Sequence, residues 1–355
     1  MKTYCRGLKP SRKLVAAAFD AWAGGDSGKK NRWRVDADYG GADALIDEVY
    51  AQWADRTLSF PPIRYYEAVD GCNGKVRTIA VQSVKQQVVD YLFALCAEGL
   101  FEAKRGYYQV AAVRGKGQLF GRRRAAPWVD RCRYAVKGDV RKCYESVDHG
   151  VLMGLLRRYV ASDDVLYLAE TLLATYRRGL NIGSYFSLVT MTFVLSFAYH
   201  EVESMRKVRR GVSRPLAAHQ IWHMDDVMLL GDDKRDLRRA MRALGRYMRD
   251  ELGLELKPWK VVDLRREPVT MFGYTFRKGR VTLAAGTFLR ARRCVARFLH
   301  KRSLPLARRL CAYWGWLRNS ACRGFMARSG AWKAMRAARA AVSAHDRKAV
   351  SAWAA

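Results

Sequence analysis

Apolar residues recur at helical spacing through the first 65 residues, which predicts basic amphipathic helices, the best patterned over 42–55 and stopping near the Pro61-Pro62 breaker. Two short strand-like runs, 64–68 and 75–81, flank Asp70-Gly71-Cys72-Asn73-Gly74 and predict a hairpin. A helical pattern covers 83–101, and 107–124 reads as a loop, with Gly115, Gly117 and Gly121 set among Arg and Lys. A strand over 134–140 is followed by helices over 148–159, 163–177 and about 187–206. Apolar strands pinched at Asp225-Asp226 form a second hairpin over 220–231, with a charged helix after it at 233–252. Strands at 260–264, 270–276 and 280–283 precede a helical remainder. Helices mixed with antiparallel hairpins predict an α+β chain.

Residues 180–200 carry no charged side chain but include Asn181, Gly183 and several Ser and Thr, so a buried helix is expected and no membrane partner. At 355 residues, about two domains is the prior. Half the residues are apolar, which excludes a disordered chain. The net charge of +32 points to a polyanion, nucleic acid before acidic membrane. From Arg277 onward there are 19 Lys and Arg against the single acid Asp346, a composition suited to phosphates. The eight cysteines show no metal spacing and read as reduced packing residues of a cytoplasmic protein. The basic N-terminus lacks the apolar stretch of a signal peptide.

Chemistry is carried by two carboxylate signals. Ile221-Trp222-His223-Met224-Asp225-Asp226-Val227-Met228 places adjacent acids at a tight turn, and Lys137-Gly138-Asp139-Val140 ends an apolar strand on a third. Taken singly, each is also what an Asx turn or a cap produces. Taken together they can lie side by side in one sheet, where clustered carboxylates need a compensating cation and hard oxygens suit Mg²⁺. Two such ions serve in-line phosphoryl transfer.

The segment KGDVRKCYESVDH resembles motif A of prokaryotic reverse transcriptases, and HMDDVMLL resembles their motif C. Gly179-Leu180-Asn181-Ile182-Gly183-Ser184-Tyr185-Phe186-Ser187-Leu188 is similar to motif B, Leu254-Glu255-Leu256-Lys257-Pro258-Trp259-Lys260 to motif D, and Met271-Phe272-Gly273-Tyr274 to motif E. Gly74-Lys75-Val76-Arg77-Thr78-Ile79 looks like the fingers hairpin, and Tyr313-Trp314-Gly315-Trp316-Leu317 like a thumb sequence.

The resemblance implies a right-hand polymerase with an antiparallel-sheet palm: N-terminal helices and fingers over 1–130, palm over 131–284, and a basic helical thumb over 285–355. It implies an RNA-directed DNA polymerase of bacterial or phage origin. Asp139 and Asp225 would hold two Mg²⁺ ions, with Asp226 assisting and the Val140 carbonyl completing the set. Tyr144 would exclude a 2′-OH, Lys75 and Arg77 would grip the triphosphate, and Lys260 would assist pyrophosphate departure. Gly183 and Ser187 would shape the turn and helix beneath the templating pair. The partners implied are an RNA template, nascent cDNA and dNTPs, with an accessory protein or a structured noncoding RNA as further candidates.

Motif B in its IGxxxS form is closer to diversity-generating retroelement enzymes than to the Pro-Gln-Gly form of group II introns and retrons. Leu188, Asn181, His223 and Gln87 stand where Gln, Pro, an aromatic residue and Arg are usual. The alternatives are an antiphage-defence reverse transcriptase, with a noncoding RNA template or untemplated synthesis, and an idle RNA-binding module. The residues after motif E leave no room for a second enzyme.

Overall fold

The computed structural model describes residues 3–69 and 76–353, with side chains described as far as 347 at the C-terminal end. Lys75, Cys72 and the turn at 70–74 lie outside the described residues. The chain opens with helices α1 (Arg12–Gly24), α2 (Asp26–Asn31), α3 (Trp33–Tyr39) and α4 (Ala42–Ala54). The hairpin β1 (Arg64–Val69)–β2 (Val76–Val81) follows, then α5 (Val84–Cys96), α6 (Glu98–Lys104) and α7 (Gln118–Arg131). Next come β3 (Tyr134–Asp139), α8 (His149–Tyr159), α9 (Asp163–Ala174) and α10 (Tyr185–Ser204). A short hairpin β4 (Arg206–Arg209)–β5 (Val212–Pro215) leads to β6 (His219–His223), β7 (Asp226–Gly231) and α11 (Lys234–Leu252). Strands β8 (Val261–Asp263), β9 (Val269–Met271), β10 (Tyr274–Arg277) and β11 (Arg280–Leu283) precede helices α12 (Ala285–His300), α13 (Leu304–Arg318), α14 (Arg323–Arg328) and α15 (Ala331–Trp353). The chain is α+β, with small antiparallel sheets.

The organising element is a four-stranded antiparallel sheet in the order β6-β7-β3-β8. Its strands are buried on both faces, so each reads as a nearly continuous apolar run. Alternation sends Val136, Trp222, Val227 and Leu229 into one core with α5, α10 and α11, and Ala135, Ile221, Met228 and Leu230 into another beneath α7, β9–β11 and the C-terminal helices. Gly138 faces the first core closely, where a Cβ would lie 2.9 Å from Met241 Cε of α11 and 3.0 Å from Val227 Cγ1. The uncharged stretch forms α10, started by the Ser184 hydroxyl accepting from Ser187 N. Among the described residues no helix is long and apolar enough to cross a membrane.

Three elements differ from their sequence patterns. The segment read as a loop to residue 124 turns helical at Gln118, and α7 carries Arg122, Arg123 and Arg124. Gly121 lets α7 seat on the Phe272 ring, where a Cβ would meet the ring at 2.6 Å. The single strand expected over 270–276 is a hairpin, because Phe272 (φ 58°) and Gly273 (φ 78°) are left-handed and turn the chain between β9 and β10. The β4–β5 hairpin has a mostly exposed surface and hence no apolar alternation to announce it.

Candidate active site

Strand register brings the carboxylates together. β3 is central, and its last residue, Asp139, pairs with Asp226 of β7. Between β6 and β7, Met224 is left-handed (φ 52°), and the turn sets Asp225 beyond the strand end, where its carbonyl accepts from Val140 N at 3.0 Å. On the opposite side, residues 255–257 run along the end of β3. Arg141 N donates to Glu255 O and Lys257 N to Asp139 O, both at 2.8 Å. Lys257 thereby brings its ammonium 2.5 Å from Asp139 Oδ1. Lys137, two residues before Asp139 and so on the same strand face, pairs with Asp226 at 2.9 Å.

A second wall comes from the loops before α8 and α10. Leu180 N donates to Tyr144 O at 2.8 Å, which joins the two loops. Gly179 permits this approach, since a Cβ would stand 2.5 Å from the carbonyl oxygens of Tyr144 and Glu145. Farther on, Ala80 N of β2 donates to Ile182 O at 3.0 Å and seats the β1–β2 hairpin beside Gly183 (φ 110°). The turn after Gly183 is fixed from beneath by the buried Asp90, which accepts from Ser184 Oγ at 2.7 Å, Tyr185 N at 3.1 Å and Gln82 Nε2 at 3.3 Å.

These walls enclose a cleft of about 870 Å³ lined by Asp139, Val140, Tyr144, Asp225, Asp226, Arg77 and Gly183, residues drawn from across the chain. No family model and no curated protein matches this chain.

Two residues expected at the site stand elsewhere. Ser187 is fully buried, its hydroxyl accepting from Asn181 N at 3.1 Å, so it fixes the loop and does not line the cleft. Lys260 is exposed and paired with Glu267 at 2.7 Å, also outside the cleft. The lysine of that segment which reaches a carboxylate of the cleft is Lys257. Sequence reading also missed Lys137 and Asp90. Gln87, standing where the resembled family carries Arg, accepts from Trp22 Nε1 at 3.0 Å and Ser27 Oγ at 2.7 Å and so binds the N-terminal helices to α5.

Electrostatics follow from this crowding. Burial, then Asp226 and Asp139, raise the Asp225 carboxyl above the ordinary carboxylate range, and Lys257 opposes them. Burial raises the Tyr144 phenol, so its ring is a neutral wall. Burial lowers His223, whose ring packs edge-on to Phe272 with centroids 5.7 Å apart.

Among the described residues no three His, Cys, Asp or Glu side chains form a metal-binding group. The groups that could hold a divalent cation are the Asp139 and Asp225 carboxylates and the Val140 main chain, which line one cleft. Asp139 Oδ1 is buried against the Lys257 ammonium at 2.5 Å, and Asp225 is held near two other acids. These are hard oxygen donors whose mutual repulsion a cation would relieve.

Proposed function

We propose that the chain is an RNA-directed DNA polymerase that extends a primer with dNTPs. The observation that carries this reading is the convergence of Asp139, Asp225, Tyr144, Arg77 and Gly183 on one cleft, although they come from separate hairpins and loops. The central sheet would be the palm, residues 1–130 would include the fingers, and the helices from 285 would form the thumb. The mutagenic-retroelement role and the defence role are both compatible with this chemistry.

Asp139 and Asp225, with the Val140 carbonyl, would hold Mg²⁺, two ions in the full site. When bound, the metal supplies charge neutralisation at the transferring phosphoryl group. The chain's own groups account for the rest. Arg77 offers a forked donor to the triphosphate. Tyr144 stands as a rigid wall against which a ribose 2′-OH would collide. Lys257 would donate a proton from Nζ to the departing pyrophosphate, the part that the motif D resemblance gives to Lys260.

The test is extension of an annealed RNA template–primer with Mg²⁺ and labelled dNTPs. DNA product from the native chain, abolished in Asp225→Asn, is the expected result. Absence of extension on every template would overturn the reading and favour an idle RNA-binding module.

A further inference from the structure

The outer face of α11 is a row of arginines. Arg235, Arg238, Arg239, Arg242, Arg246 and Arg249 are all exposed, while Leu237, Met241, Leu244 and Met248 on the opposite side are buried. At 3.6 residues per turn the six fall within an arc of about 100° and run roughly 21 Å along the helix. This pattern works against the helix itself, because Arg235 and Arg239, Arg238 and Arg242, and Arg242 and Arg246 are like charges four residues apart. Among the described residues Arg238, Arg239, Arg242 and Arg246 form no ion pair, and Arg249 has only its neighbour Asp250, at 3.2 Å. A face serving solubility alone would alternate signs.

A second basic element is anchored at the N-terminal end of the same helix. Lys207 of β4 pairs with Asp233 and Asp236 at the start of α11, which anchors the β4–β5 hairpin there and adds the exposed Arg209, Arg210 and Arg214. None of these arginines lines the cleft. α11 packs on the sheet face bearing Val136, Val227 and Leu229, whereas Lys137, Asp139 and Asp226 alternate onto the other face.

The chemistry of the row selects its occupant. Guanidinium groups present a fork that matches phosphate oxygens, and the row uses them almost to the exclusion of lysine. No aromatic side chain is exposed along the α11 row to stack an unpaired base. The exposed apolar side chains beside it, Val208 and Val212 of the hairpin, are two valines with no aromatic or leucine to form a lipid-entering face. We propose that this ridge binds the phosphate backbone of double-helical RNA, a folded segment lying outside the catalytic cleft. The choice of RNA over DNA rests on the polymerase reading, whereas the ridge itself does not.

The full chain is compared with the quadruple variant Arg238→Gln, Arg239→Gln, Arg242→Gln, Arg246→Gln, which retains helix-favouring residues. The probe is a labelled RNA hairpin duplex, followed by anisotropy over a salt series. Binding at least tenfold weaker is expected, with a plot of log affinity against log salt shallower by about one for each phosphate no longer neutralised. An unchanged melting temperature guards against misfolding, and a matching four-Lys variant should retain more binding than the Gln variant. Unchanged RNA affinity and slope would overturn the proposal, as would a selective loss of binding to phosphatidylserine vesicles or a double-stranded DNA preference. Primer extension is measured in parallel. If neither protein extends a primer, the polymerase reading falls, while weaker RNA binding by the variant still supports the ridge.

Discussion

Lys257 closes an ion pair with Asp139 across the end of β3, and the main-chain bond between the same two residues fixes it there. The pair joins one of the candidate metal-binding carboxylates to the single lysine of the 254–260 segment that enters the cleft. Lys257→Met is expected to lower the rate of nucleotide addition by about a hundredfold, in the range of a missing general acid. Lys260→Met should leave it within about twofold, since its partner Glu267 lies outside the cleft. Single-turnover extension measures both. A larger effect at Lys260 would return the role to that residue.

Tyr144 lines the cleft beside Asp139, its main chain fixed by the Leu180 N–H bond to its carbonyl. Tyr144→Ala opens space where a 2′-OH would lie. Discrimination between dNTP and NTP should fall at least about tenfold, equivalent to roughly 1.4 kcal/mol, read from competing incorporation on one template. Unchanged discrimination would remove Tyr144 from the part of sugar gate.

Gly183 adopts φ 110°, and a Cβ there would stand 3.0 Å from Ala80 O. Gly183→Ala should destabilise the fold by roughly 1–3 kcal/mol through backbone strain and weaken nucleotide binding. Gly154→Ala is the matched control, since that glycine lies at an exposed position of helix α8 with nothing within 4 Å. It should be stabilising by roughly 0.5–1 kcal/mol. Urea denaturation of both variants provides the comparison.

Burial pushes the Asp90 carboxyl up to about 7, against the pull of the hydrogen bonds from Ser184, the backbone and Gln82. In the unfolded chain an aspartate titrates near ~4. Between about pH 4 and pH 7 the folded state therefore holds more protons than the unfolded one, and this group makes stability fall as pH rises. Above that window its contribution is constant. Asp90→Asn should flatten the slope, measured by denaturation at a series of pH values. A slope that persists unchanged in the variant would assign it to another group.

The fold was legible where a local pattern is dictated by a local cause. The strands carrying Asp139 and flanking Asp225 announce themselves because both faces are buried, and the cap Asp148 sits where its helix begins. What escaped depends on distant partners. Lys257 and Lys260 are equally lysines in sequence, and only the pairing of residues 255–257 with the end of β3 separates them. Asp90 looks like a polar gap in a helix until its hydrogen-bond partners arrive from 94 and 95 residues away. The helical start at Gln118 and the turn at Phe272 are one event, a ring packed on a glycine, and neither segment reveals it alone. The carboxylates and the tyrosine were thus visible as residue types, while the lysines that counterbalance them were not.

The two walls of the cleft are held unequally. The Asp139 carbonyl accepts from Lys257 N, and the next two residues, Val140 and Arg141, donate to Asp225 O and Glu255 O, inside a sheet with packing on both faces. The β1–β2 hairpin, in contrast, meets the loop before α10 through Ala80–Ile182, Tyr65 OH–Asn181 Oδ1 at 3.3 Å, and Arg177 over the Tyr65 ring. All three tethers fall within residues 177–182, immediately before Gly183 and the Asp90-held turn. Along these tethers a pull on the hairpin reaches the nucleotide end of the cleft through a displacement of that loop. The arrangement is a lever on an anvil, with its fulcrum in the six residues preceding Gly183.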